Sequence, residues 1–225
     1  FTLEGDQVVD EDSGGLTNYA FATNIAAGPT DESGQSLSFL VSTDNDALFT
    51  DGPTIDASGV LSFALADDAA GTAVVTVRLM DNGGTANGGV NISEAQTFSI
   101  IVNNINDAPV LTVPGPMLVD EDTQLDISGV SVVDVDSATV EVELEAIFGN
   151  LTLGNTSGLT VSGNGTDDVI VEGSVADINA ALATLSYRSY PGSSGEEAIL
   201  FTVTDPDAAS DFKLIIVNVI PAAFV

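Results

Sequence analysis

The residues able to do chemistry in this chain are acids, and they come in groups. Asp10-Glu11-Asp12, Asp67-Asp68, the stretch from Asn103 to Asp107, Asp120-Glu121-Asp122, Asp134 with Asp136, and Asp205 with Asp207 all sit where strands give way to turns. Turns present carboxylates and backbone carbonyls together, which is what a hard divalent cation takes: Ca²⁺ binds six to eight oxygens. Asp and Asn also favour turns for local hydrogen-bonding reasons, so a single isolated group is read as turn chemistry before it is read as a cation site. The overall balance favours a cation. The chain carries 34 Asp plus Glu against 3 Lys plus Arg and no His, a formal charge of −31. Like charges on a compact body repel and destabilise it unless something offsets them.

Other chemistries fall away on composition. With no His and no Cys, a Ser–His–Asp triad, a Cys–His pair and zinc sites built on His or Cys are excluded. The only lysine, Lys213, sits in the middle of a strand pattern. Phosphate-loop and dinucleotide-binding fingerprints are absent. The expectation is a protein that is not an enzyme. Nucleic acid is not an expected partner, because phosphate binding needs clustered Lys and Arg. No apolar run approaches the ~18 residues of a membrane span, so direct membrane insertion is not expected. The absence of Cys leaves no disulfide, which favours a bacterial exterior over a eukaryotic secreted setting.

These acids need a scaffold, and 44% hydrophobic residues can supply one. The chain repeats. Val8-Val9-Asp10-Glu11-Asp12-Ser13 recurs about 110 residues on as Leu118-Val119-Asp120-Glu121-Asp122-Thr123, and Ile100-Ile101-Val102-Asn103 recurs as Ile215-Ile216-Val217-Asn218. After the first copy comes Asn106-Asp107-Ala108-Pro109-Val110, and after the second Pro221-Ala222-Ala223-Phe224-Val225. The reading is two domains, 1–104 and 111–225, joined by a linker at 105–110, within an array that continues on both sides.

Between these landmarks apolar residues alternate with period two: Leu37, Phe39, Val41; Val75, Val77, Leu79; Val140, Val142, Leu144. Such alternation buries one face of a strand. Further strands are expected at 60–65, 98–102, 169–171, 199–203 and 212–219. Asn82-Gly83, Asn87-Gly88 and Asn164-Gly165 mark turns. About seven short strands per ~100 residues predict two tandem immunoglobulin-like Greek-key β-sandwiches, an all-β protein. One helix is predicted at about 175–185. Ser174 caps it, Asp177 reaches back, and Val175, Ile178, Leu182 and Leu185 form its core-facing stripe.

The order of these motifs resembles cadherin repeats. Such a repeat has a Glu about a dozen residues in, an acidic pair near mid-domain and a linker reading Asp-x-Asn-Asp-Asn-Ala-Pro. The next repeat then supplies an Asp-x-Asp and a late Asp. Glu11, Asp67 with Asp68, the linker Asn103 to Pro109, Asp134 with Asp136, and Asp205 match in turn. Asp31 and Asp81 match the later elements for a preceding domain. The resemblance implies that Glu11, Asp67, Asp68, Asn104, Asn106, Asp107, Asp134, Asp136 and Asp205 hold calcium at the joint. Asn103 and Ile105 stand where cadherins carry Asp and Asn, and Asp67-Asp68 are adjacent rather than spaced, so the three calcium ions that the resemblance implies at the joint fall to two or one. The stretch from Asn164 to Tyr187 is similar to cadherin-like tandem repeats of large bacterial adhesins and biofilm proteins.

Seven carboxylates gathered at one hinge repel strongly, by ~4 kcal/mol for a pair ~4 Å apart at an effective dielectric of 20. Calcium would turn that repulsion into coordination and stiffen the joint. The expected function is a calcium-rigidified extender in an extracellular adhesin or matrix protein at a bacterial cell surface, acting in adhesion or biofilm. Its partners are the neighbouring repeats. Two alternatives remain open: a carbohydrate-binding module for surface glycans, with Tyr19, Tyr187 and Tyr190 the only tyrosines and Tyr187 assigned to the core, and a subunit of a filament that self-associates through a sheet edge.

Overall fold

The computed structural model describes residues 1–85 and 89–222, with the Asp31 side chain left aside. The Asn87-Gly88 turn, the Asp31 carboxylate and the tail from Ala223 lie outside the described residues. Two units form by their internal contacts, one over Phe1–Ile105 and a second beginning at Asn106.

Among the described residues unit 1 has nine strands: β1 (Thr2–Leu3), β2 (Gln7–Asp10), β3 (Gly15–Asn18), β4 (Ala22–Thr23), β5 (Leu37–Thr43), β6 (Phe49–Ile55), β7 (Leu61–Leu65), β8 (Gly71–Asp81) and β9 (Gln96–Asn103). One sheet runs β2-β9-β8-β5 and the other β3-β7-β6, with β1 and β4 paired separately. Period-two burial is strict in β8, where Ala73, Val75, Val77 and Leu79 point inward and the residues between them do not. The core closes around Phe21, Leu61, Val75, Val77 and Ile100, all fully buried. Phe21 and Phe98 pack with ring centroids 4.5 Å apart and planes tilted by 57°. Each such side chain contributes roughly 1.5–3 kcal/mol by leaving water.

Unit 2 begins with β10 (Val110–Thr112), β11 (Met117–Asp120), β12 (Gln124–Asp126), β13 (Ser131–Val133), β14 (Thr139–Ala146) and β15 (Gly149–Leu153). Then come β16 (Thr160–Ser162), β17 (Asp168–Ser174), α1 (Val175–Leu182), β18 (Leu185–Ser189), β19 (Gly195–Thr204) and β20 (Ser210–Ile220). Six strands form one sheet in the order β11-β20-β19-β14-β17-β16, facing β12-β18-β15, and β10 pairs with β13. In both units the strand carrying the repeated Asp-Glu-Asp motif runs parallel to the last strand, β2 with β9 and β11 with β20. The protein is thus all-β, two β-sandwich units with one helix, as the periodicity predicts.

The helix is shorter than predicted. It ends at Leu182, and Leu185 opens β18 instead. Its end tightens into a turn in which both the N–H and the hydroxyl of Thr184 donate to the Ala181 carbonyl, at 2.9 and 2.7 Å. Ser174 accepts the Asp177 N–H at 3.1 Å, as a cap should, but Asp177 reaches back to the Ser174 hydroxyl, at 2.7 Å, rather than to its backbone. Ile178, Ala181 and Leu182 face the core, and Asn179 clamps β13 by bonding both the N–H and the carbonyl of Val132 at 2.8 Å. The β16–β17 hairpin and α1 are what unit 2 adds. Through them β17 pairs with β14, whereas among the described residues β5 of unit 1 has only β8 beside it.

Candidate metal centre

In unit 1 the β2 strand runs out at Asp10 into a single 3₁₀ turn, Glu11–Ser13, closed by Gly14 in the left-handed region (φ 74°). That turn drives Glu11 inward while Asp10 and Asp12 stay exposed. Glu11 is 3% exposed. Its Oε1 accepts the Ile105 N–H at 2.8 Å, and its Oε2 is buried with no partner. Next to it, the β7–β8 turn holds Asp68 at φ 53°. Asp12 and Asp68 offer carboxylate oxygens within 4.8 Å of each other. The Asn103 side-chain amide donates to Asp10 Oδ1 at 3.1 Å, which anchors the end of β9.

In unit 2 a second acidic set forms around the start of the chain segment. The Asn106 amide donates to Asp205 Oδ2 at 2.7 Å, and the Asp107 N–H donates to Asp136 Oδ2 at 2.7 Å. Asp134 Oδ1 accepts the N–H groups of Asp136 and Ser137 at 3.0 and 2.7 Å, an Asx-type turn that explains the Asp-x-Asp spacing. Its other oxygen, Oδ2, is buried without a partner. Asp205 is 5% exposed. The Asn106 amide, and then backbone N–H groups led by that of Ala209, hold its carboxyl below the usual aspartate range.

Of the nine residues assigned from sequence, Asn106, Asp107, Asp134, Asp136 and Asp205 come together in one hydrogen-bonded group of unit 2. Glu11 is buried at the end of unit 1, and Asp68 is paired closely with Asp12. Asp67 and Asn104 are exposed, and neither side chain makes a hydrogen bond among the described residues.

The sequence reading passed over Asp12 as a ligand, although it closes the Asp-Glu-Asp triplet. It also passed over Glu197, which is 3% exposed and accepts the N–H groups of Ile147 and Phe148 at 2.6 and 2.9 Å and the Tyr187 hydroxyl at 2.9 Å. The clue was present: Glu197 lies in phase with Ile199, Phe201 and Val203, on the buried face of β19. Burial, and then the Glu197 carboxylate, push the Tyr187 phenol above its usual value.

The repeat is not symmetrical in its acids. Glu121 repeats the Glu11 arrangement by accepting the Ala222 N–H at 3.0 Å. The loop following β18, however, reads Tyr190-Pro191-Gly192-Ser193-Ser194, without a carboxylate, where unit 1 has Asp67-Asp68. The tyrosines do not form a platform. Tyr187 is fully buried, as assigned, Tyr19 is exposed on unit 1, and Tyr190 donates its hydroxyl to Asp167 at 3.1 Å on unit 2.

Chemically, these carboxylates suit a hard cation. Leaving a charged oxygen buried and unpaired is costly, and an ordered water or a cation is what satisfies it. Glu11 Oε2 and Asp134 Oδ2 are such oxygens.

No family model and no curated protein matches the chain. Among solved structures it is similar to human mucin-like protocadherin EC1-2, at 13% identity over 98% of both chains with a TM-score of 0.43. It is also similar to human protocadherin-24 EC1-2, at 17% identity over 96% of this chain and 95% of that one, TM-score 0.41. A third, PcdhgB3 EC1-4, matches at 14% identity over 97% of this chain and 48% of that one, TM-score 0.49.

Proposed function

We propose that this chain is an extender segment of an extracellular adhesion or matrix protein, in which calcium at the acidic ends of the sandwiches stiffens the tandem array. The observation that carries the reading is the pair of buried carboxylate oxygens, Glu11 Oε2 and Asp134 Oδ2, that lack a protein partner. Glu11 holds the Ile105 N–H, and Asp136, itself bonded to Asp134, holds the Asp107 N–H two residues further along the chain. Glu11, Asp12 and Asp68 in unit 1, and Asp134, Asp136 and Asp205 with the amide oxygen of Asn106 in unit 2, would supply the oxygens. A bound ion would neutralise them and order the linker.

The setting we assign is a bacterial cell surface or biofilm matrix. No Cys is present, which fits a fold stabilised by ions rather than by disulfides. Among the described residues no helix is long and apolar enough to cross a membrane.

Calorimetric titration with Ca²⁺ tests the reading. Sites with Kd on the order of 10⁻⁴–10⁻³ M, usual for extracellular modules, are expected, along with a higher melting temperature and a narrower spread of interdomain angles in small-angle scattering. Asp134→Ala with Asp136→Ala should remove the tightest site. An unchanged melting temperature and scattering profile on chelation would overturn the proposal.

A further inference from the structure

The outer face of the large sheet of unit 2 is divided lengthwise. On β20, Phe212 and Leu214 are 66% and 54% exposed, with Ile216 following on the same face. Leu200 of β19 lies directly beside Leu214. Leu118 of β11, 67% exposed, lies at the sheet edge beside Asn218. The next two strands are acidic on the same face. Glu141, Glu143 and Glu145 alternate along β14, and β17 sets Glu172 opposite Glu141 and Asp168 opposite Glu145. Like charges placed directly across a strand pair are destabilising. Burial, and then Glu145 and its acidic neighbours, raise the Glu143 carboxyl above its usual value.

The corresponding sheet of unit 1 has no acidic rows on β5, β8 or β9, and its exposed apolar residues, Val8 on β2, Val74 on β8 and Leu40 on β5, are spread over three strands. Its outward rows read Thr72, Val74, Thr76 and Arg78 on β8, and Ser38, Leu40 and Ser42 on β5. The divided face therefore belongs to unit 2 and is not a property of the repeated sandwich.

We propose that this face docks a partner polypeptide whose apolar ridge is flanked by Lys or Arg. The spacing sets the geometry. From β20 to β14 is two strand steps, about 10 Å. That matches the 10–12 Å diameter of an α-helix, so an amphipathic helix laid along the sheet could place its apolar stripe on β20 and β19 and a basic flank over β14. A second copy of this chain cannot supply that flank. Its only cations are Arg78, Arg188 and Lys213, bonded to the Ser93 carbonyl, the Asp122 carbonyl and the Asp211 carboxylate. The inference does not depend on calcium.

The test uses the full chain and an 18-residue model helix with Leu on one face and Lys on its flanks. Binding is followed by calorimetry and by amide shifts in NMR spectra. Phe212→Thr with Leu214→Thr keeps strand-favouring residues and should weaken binding about tenfold or more. Glu143→Gln with Glu145→Gln should do the same and flatten the salt dependence. Asp51→Asn with Glu94→Gln, on unit 1, should leave the affinity unchanged. Three results would overturn the proposal: no binding up to millimolar peptide, equal loss in all three variants (attraction to net charge alone), or equal binding of a peptide with Glu in place of Lys. A concentration-dependent dimer in sedimentation that Phe212→Thr with Leu214→Thr abolishes would give the face to a second copy instead.

Discussion

Glu11 and Ile105 stand 94 residues apart in sequence and share one hydrogen bond, the Ile105 N–H donating to Glu11 Oε1 at 2.8 Å. The bond ties the start of unit 1 to the point where the chain leaves it, and it leaves the other Glu11 oxygen buried and unpaired. Two substitutions separate its structural part from its part toward calcium. Glu11→Ala should lower calcium-free stability by no more than about 0.5–1.5 kcal/mol in denaturant unfolding, the net worth of a typical hydrogen bond, since it also removes the unpaired charge. Glu11→Gln keeps an acceptor for Ile105 and should hold calcium-free stability, yet lose most of the gain in melting temperature on adding calcium. Equal calcium gains in the parent and in Glu11→Gln would remove Glu11 from the ligand set.

The Tyr187–Glu197 pair gives a prediction at high pH. The folded state favours the neutral phenol, because ionising it would place a second negative charge beside Glu197 in a buried site. The unfolded chain loses that proton at about pH 10. Above that value the unfolded state binds fewer protons than the folded one, so stability falls as pH rises, until the higher folded value is passed. Stability contributed by this pair is thus fully present below about pH 10. Tyr187→Phe should flatten the alkaline limb of a stability-versus-pH curve for unit 2. If the limb keeps its slope, the phenol is not its source.

Asn179 joins α1 to β13 by two hydrogen bonds to Val132, a residue that is itself buried. Asn179→Ala leaves the Val132 N–H and carbonyl without partners, at a cost of about 2–4 kcal/mol. Asn179→Asp keeps only the acceptor and should fall between Ala and the parent. Urea unfolding monitored by far-UV circular dichroism would rank the three proteins.

Gly149 faces the Tyr187 ring, and a Cβ there would collide with the ring carbon Cε2 and come within 2.5 Å of the Arg188 carbonyl oxygen. The oxygen is backbone and the ring is packed against the buried core, so neither can give way freely. Gly149→Ala should cost at least the ~1–3 kcal/mol typical of overpacking. Gly34→Ala, where nothing lies within 4 Å of the added carbon, should be nearly neutral and serves as the control in the same thermal melts.

The strand layout was legible in the chain itself, because burial of one sheet face imposes period two, as Val75, Val77 and Leu79 show. The repeat and the helix cap were legible for similar reasons, since both rest on contacts a few residues apart or on motifs copied along the chain. The Asp-x-Asp turn at Asp134 was readable too, being held by hydrogen bonds from the N–H groups two and three residues on. What only the tertiary structure decided are relations across long separations. It set which oxygen of Glu11 is used and which is left over, the closeness of Asp12 to Asp68, the Glu197 knot beneath Tyr187, and the carboxylates of β14 and β17 placed face to face. Pairing register and packing settle such contacts only after the whole sandwich has closed, because residues far apart in the chain carry no local signal of one another.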